Sequence, residues 1–175
     1  MPIGFGILLF FIKVAMKDKT PEFTRAFDSF KDITPQILKE YNIKGILTDL
    51  DDTLVTHNYP IPTEEVKTWL STLKKEGIGV CLISNNQKKR MMSFVKDIDV
   101  GYFYNAFKPR IHVINSAVSV LNLKKDEVVF IGDQLFTDVR AANRAEIRAF
   151  LVKPIGTKST LFIKFKRKLE RKILK

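Results

Sequence analysis

Asp49 and Asp51 stand two residues apart where an apolar run, Gly45-Ile46-Leu47-Thr48, gives way to Leu50-Asp51-Asp52-Thr53-Leu54-Val55. Side chains repeat every two residues along a strand, so this spacing aims both carboxyl groups at one point as the chain leaves a sheet. Two carboxylates at such a tip can hold a hard cation and attack phosphorus. Three more polar clusters, Ser84-Asn85-Asn86, Lys108-Pro109 and Gly132-Asp133 followed by Thr137-Asp138, come at or just beyond the ends of other apolar runs. Open α/β sheets bind ligands at the carboxyl ends of their strands. Taken singly, Ser84-Asn85 and Lys108-Pro109 pass for ordinary turn chemistry. Four such clusters at four strand ends are far harder to ascribe to accident.

The elements that must position these residues alternate between strand and helix, which predicts an α/β fold with a central parallel sheet and helices on both faces. A strand is expected over Lys44 to Thr48, after a helix that starts at Thr34-Pro35-Gln36 and runs toward Tyr41. Pro62-Thr63-Glu64-Glu65 opens a helix with Val66, Trp69, Leu70 and Leu73 on its inner face, and Gly77 ends it. Ile78 to Ile83 is a continuous apolar strand of the buried kind, followed by a basic helix from about Gln87. Gly101 to Phe107 offers another strand, and Ile111 to Leu121 a helix. Glu127 to Ile131, Phe136 to Ala145 and Arg148 to Val152 complete the pattern as strand, helix and strand.

At 175 residues and 45% apolar content, the chain suits one compact core. Its net charge of +11 and pI of about 9.7 point to an anionic partner: nucleic acid, a phosphorylated small molecule or an anionic membrane surface. Cys81 is the only cysteine, which excludes an intrachain disulfide or a thiolate zinc cluster and fits a reducing cytoplasm. Its neighbours Val80 and Leu82 mark it as a buried, inert residue.

The ends differ from the middle. Ile3 to Ile12 is an unbroken apolar or glycine stretch, shorter than the roughly 20 residues a membrane span needs. It has neither the basic start nor the cleavage site of a signal peptide. From Leu161 the chain places Leu161, Phe162, Phe165, Leu169 and Ile173 at helical spacing, with Lys and Arg filling most of the remainder. Such a helix fits an anionic membrane surface, at about 1 kcal/mol per cation. It also fits an ordinary terminal helix with a solvated cationic face, and the apolar N-terminus favours membrane contact. The expected organisation is an apolar and basic segment over 1–29, a core over 30–160 and a basic amphipathic helix over 161–175.

The ordered set Asp49-Leu50-Asp51-Asp52-Thr53, Ser84-Asn85-Asn86, Lys108-Pro109 and Gly132-Asp133-Gln134-Leu135-Phe136-Thr137-Asp138 resembles the haloacid dehalogenase superfamily of phosphohydrolases. Within its subfamily IIIA, Ile46 to Asp51, Ile83 to Asn86, the Gly-Asp-Gln-Leu-x-Thr-Asp form and the Val152-Lys153-Pro154 tail resemble bacterial relatives of the mitochondrial phosphatidylglycerophosphate phosphatase. The resemblance runs from about Phe30 to the end. It implies a three-layer, Rossmann-like core and a Mg²⁺ ion held by Asp49, the backbone carbonyl of Asp51, Asp133 and, directly or through water, Asp138. It further implies Asp49 as nucleophile, Asp51 as acid and base, and Ser84, Asn85 and Lys108 as phosphate-binding residues. Thr53 is expected to brace the loop.

The segments 55–62 and 86–107 are too short for the cap domain that many superfamily members insert, so an open site is expected. An open site suits a phosphorylated lipid, phosphatidylglycerophosphate, reached by a peripheral protein on the inner, cytoplasmic face of the cell membrane. Nucleic acid is the less favoured partner. The competing readings are a phosphatase for nucleic-acid 3′-phosphates or other soluble phosphomonoesters, and a non-catalytic membrane or RNA-binding module. The clustered carboxylates argue against the latter. Asp52, His57 and His112 receive no role, and nothing in the sequence speaks to oligomeric state.

Overall fold

In a computed structural model, residues 20–156 are described; the apolar stretch Ile3 to Ile12 and the basic helix expected from Leu161 lie outside them. Six strands run β1 Arg25–Phe27, β2 Gly45–Thr48, β3 Gly79–Ile83, β4 Gly101–Phe103, β5 Val128–Gly132 and β6 Arg148–Val152. Helices are α1 Pro35–Glu40, α2 Glu64–Lys75, α3 Lys88–Val95, α4 His112–Leu121 and α5 Arg140–Arg144. The strands form one sheet in the order β1-β6-β5-β2-β3-β4, and every pairing is parallel. This is the three-layer α/β arrangement expected from the alternation.

Local chemistry explains the helix boundaries. The Thr34 hydroxyl accepts from Ile37 N ahead of Pro35, and the Thr63 hydroxyl accepts from Val66 N. Each satisfies a backbone donor that a helix start leaves free. Gly77, at φ 71°, turns the chain after α2, where a side chain would be strained. Val66, Trp69, Leu70 and Leu73 of α2 are all buried, as their spacing predicts.

Alternation within the strands divides the core in two. Ile46, Leu82, Val129, Ile131 and Phe150 face the layer of α1, α2 and α3, while Leu47, Cys81, Ile83, Val128 and Phe130 face α4 and α5. Burial pushes the Cys81 thiol up to about 12, so it is inert, as its apolar neighbours suggested.

The structure departs from the expected elements in three places. Arg25–Phe27, assigned to the N-terminal segment 1–29, is an edge strand paired with Phe150 to Val152, so the sheet-bearing unit begins before residue 30. The strand expected over Gly101 to Phe107 stops at Phe103, and the rest is a loop that carries Lys108 into the site. The helix expected from Phe136 begins as a wide π turn, Leu135–Val139, before narrowing into α5. Among the described residues no domain is inserted between β2 and α2 or between β3 and β4, and no helix is long and apolar enough to cross a membrane.

Candidate active site

The carboxyl ends of β2, β3 and β5 and the loop after β4 converge on a cleft of about 620 Å³ lined by Asp49, Asp51, Ser84, Asn85, Lys108 and Asp138 among others. Asp49 is the first residue past β2, and its amide still donates to Ile131 O at 2.9 Å, continuing the ladder to β5. The chain then doubles back. Leu50 is fully buried, its carbonyl accepts from Leu54 N and Val55 N, and Asp52 donates to Val55 O. Asp52, left without a role by the sequence, takes the left-handed backbone of this tight loop at φ 64°. The loop therefore presents Asp49 and Asp51 from a fixed frame.

Lys108 enters from the opposite wall. The Asn85 side chain brackets its backbone, accepting from Lys108 N at 2.7 Å and donating to Lys108 O at 3.4 Å. The side chain of Asn85 thus holds the Lys108 backbone, and the residue lines the cleft. The Lys108 ammonium, 2% exposed, lies 2.6 Å from Asp49 Oδ1, 2.8 Å from Asp138 Oδ1 and 3.0 Å from Ile83 O. All three of its protons therefore have acceptors. Burial alone would lower its pKa, but Asp138 and Asp49 outweigh burial and raise it, which favours the cation.

Asp133 and Asp138 come from the end of β5 and the π turn. Asp138 Oδ2 accepts from Gln134 N at 3.1 Å, which fixes the carboxylate. A Cβ on Gly132 would lie 2.4 Å from Asp138 Cβ, so only glycine lets the turn close this tightly. One oxygen each from Asp49, Asp133 and Asp138 lie within 4.8 Å of one another, and the Thr53 hydroxyl sits 3.5 Å from Asp49 and 3.4 Å from Asp133. Asp49 and Asp138 share the one Lys108 ammonium, and the hard oxygen donors of the three buried carboxylates suit Mg²⁺. The residues present therefore fit the ion. Gly132→Ala is expected to push Asp138 aside and weaken Mg²⁺ binding about 10- to 100-fold, read by Mg²⁺-dependent thermal shift.

Burial pushes the Asp49 carboxyl up to about 7; Lys108 opposes the shift, and Asp138 and Asp51 add to it. In the metal-free protein the folded state keeps this proton after the unfolded chain has lost it. Its contribution to stability accordingly falls as pH rises from the ordinary 3.8 to about 7. A metal needs the ionised form, so Mg²⁺ affinity should rise about tenfold per pH unit below about 7 and level off above it, with proton release detectable by calorimetry in two buffers.

Asp51 faces another way. Its Oδ1 accepts from Arg90 Nη2 at 2.9 Å and Nε at 3.3 Å, its Oδ2 accepts from Asn86 Nδ2, and the exposed His57 stands 3.6 Å off. The Asp51 side chain is thus outside the acidic cluster, and only its carbonyl remains for the metal role that the resemblance implied. Ser84, 1% exposed, lines the cleft and accepts from Asn86 N at 3.0 Å. Arg90 was legible only as part of the basic run Lys88-Lys89-Arg90; the structure turns its guanidinium inward onto Asp51. His112 is exposed at the start of α4 and is not among the residues lining the cleft.

Residues 23–152 match the family of haloacid dehalogenase-like hydrolases. The chain is 42% identical over 142 residues to a Bacillus subtilis (strain 168) protein named "Probable phosphatase YqeG", a match covering 81% of this chain and 83% of that protein. An uncharacterised protein from Listeria monocytogenes serotype 4b has a similar structure, with a TM-score of 0.52 and 14% identity over 74% of this chain and 98% of that one. A hypothetical protein from Xanthomonas campestris follows at a TM-score of 0.50 and 16% identity, covering 72% of each chain. These two structures share the fold.

Proposed function

The chain belongs to the haloacid dehalogenase-like hydrolases, and from that premise we propose that it is a magnesium-dependent phosphomonoesterase acting on phosphatidylglycerophosphate. The observation that carries the phosphatase reading is the buried Asp49 at the tip of β2, set beside Lys108 in one cluster with Asp133 and Asp138. Asp49 attacks phosphorus in line, the bond to the ester oxygen breaks, and Asp51 gives that oxygen a proton. Water then attacks the aspartyl-phosphate, Asp51 takes its proton back, and inorganic phosphate leaves with Asp49 restored. Asp49, Asp133, Asp138 and the Asp51 carbonyl would hold Mg²⁺, which would supply charge neutralisation at the phosphoryl oxygens. Lys108 adds a fixed cation and Ser84 a hydroxyl donor, both set before substrate arrives.

Arg90 and Asn86 hold the Asp51 carboxylate and so orient the acid and base. The lipid assignment rests on the resemblance in sequence, a cleft that no inserted domain covers among the described residues, and the basic, apolar character of the chain's ends. Peripheral attachment to the inner face of the cell membrane is part of the same proposal. Phosphate release from phosphatidylglycerophosphate in mixed micelles, set beside sugar phosphates, nucleotides and 3′-phosphorylated RNA, tests it. Strong preference for the lipid is expected. Preference for a soluble phosphomonoester would reject the lipid and leave the phosphatase.

A further inference from the structure

Large exposed apolar side chains are not spread evenly over this protein. Tyr59 and Ile61 follow β2, Tyr104 and Phe107 follow β4, and Ile155 follows β6, each at least 36% exposed. All five therefore belong to loops at the carboxyl edge of the sheet, where the cleft opens, and Ile155 lines it. Two others among the described residues lie on helices, Met92 on α3 and Val120 in the last turn of α4 at the other edge. Phe107 is the sharpest case. It is 62% exposed and held at φ 52°, a backbone region that bulky residues rarely adopt, while the next residue, Lys108, turns into the core. The fold thus spends strain to keep a phenyl ring in water beside the cleft.

Cations accompany these side chains. Lys88, Lys89 and Arg110 are exposed on the same edge and form no ion pair among the described residues, and Arg110 packs 5.9 Å over the Phe107 ring. The exposed carboxylates nearby are already engaged: Glu64 by Lys67 at 2.8 Å, Glu65 by Lys31 at 2.7 Å, and Asp28 by Lys153 at 2.5 Å. Gly156 also lines the cleft, packed so closely on Asp52 that a Cβ there would lie 2.2 Å from Asp52 Oδ1. The chain beyond that point, 157–175, carries eight Lys and Arg against one Glu, and it starts at this rim.

We propose that this rim docks the open cleft face-down on a bilayer rich in anionic phospholipid, with Phe107, Tyr104, Tyr59, Ile61 and Ile155 at headgroup depth and the basic residues on the lipid phosphates. The proposal rests on the lipid reading above and adds to it the surface and the orientation. Aromatic rings suit the depth where apolar and wet layers meet, and cations near an anionic leaflet are attracted to it. In that pose a phosphorylated headgroup reaches Asp49 while its acyl chains stay in the membrane.

The test uses the full chain with vesicles of phosphatidylglycerol and phosphatidylcholine in equal parts. The triple variant Ile61→Ser/Tyr104→Ser/Phe107→Ser should bind these vesicles about tenfold more weakly than the wild type and lose lipid turnover in proportion, with p-nitrophenyl phosphate turnover and melting temperature kept. Unchanged vesicle binding would overturn the docking surface. Because Trp69 is the sole tryptophan and is buried, Phe107→Trp offers a second readout that needs no destabilising change. Brominated lipids should quench its added fluorescence, and no quenching would overturn the proposal. RNA binding that depends on the same rim residues, while vesicles fail to bind, would also overturn it. Failure of the lipid reading looks different: vesicle binding stays dependent on the rim while soluble phosphomonoesters are the better substrates.

Discussion

Asp49→Asn is expected to lower turnover by at least about a thousandfold on every phosphomonoester, measured by phosphate release at saturating Mg²⁺. The amide cannot attack phosphorus, and one of three clustered carboxylates loses its charge. Yet the fold should survive, since an Asn oxygen can still accept from Lys108, as Asp49 Oδ1 does at 2.6 Å. With like charges this close, removing one relieves repulsion. The metal-free variant should therefore melt several degrees higher than the metal-free wild type, while the rise on adding Mg²⁺ should shrink. Loss of activity with a lower melting temperature would mark Asp49 as structural. Retained turnover would remove it as the nucleophile.

Lys108→Met should damage both activity and stability. The ammonium is 2% exposed and bridges Asp49 and Asp138, and methionine matches its length without its charge. Breaking one side of a buried ion pair costs about 3–5 kcal/mol, because the carboxylates stay buried without a partner. For a chain of this size that is a melting temperature lower by about 10 °C in the metal-free protein. Magnesium should recover part of the stability, since a second cation meets the same carboxylates, but little of the turnover. A melting temperature unchanged in the absence of metal would show that the bridge contributes nothing to the fold.

Much of this was legible in the residues themselves. The apolar runs Ile46-Leu47 and Val128 to Ile131 announced central strands because burial on both faces leaves no room for alternation. The carboxylates after them had to fall at the sheet's edge. What escaped notice depended on distant partners. Arg25-Ala26-Phe27 has no pattern of its own and is a strand only because β6 offers an open edge. Arg90 sits in a basic run that any solvated helix could carry, and its turn toward Asp51 depends on where β3 lies beside β2. The hold of the Asn85 side chain on the Lys108 backbone depends on a loop 23 residues further along the chain. Phe107 ends a stretch expected to be a strand, and only the fold leaves it in an exposed loop.

The amide of Asp49 is bonded to Ile131 O, in the ladder that joins the two central strands of a six-stranded sheet. Central strands open last when a protein unfolds, with a free energy close to that of the whole domain. The proposed nucleophile therefore stands on the part of the molecule least able to melt alone. Under the proposed mechanism, heat inactivation is expected to follow global unfolding, with no temperature interval in which the chain is folded and Asp49 is out of place.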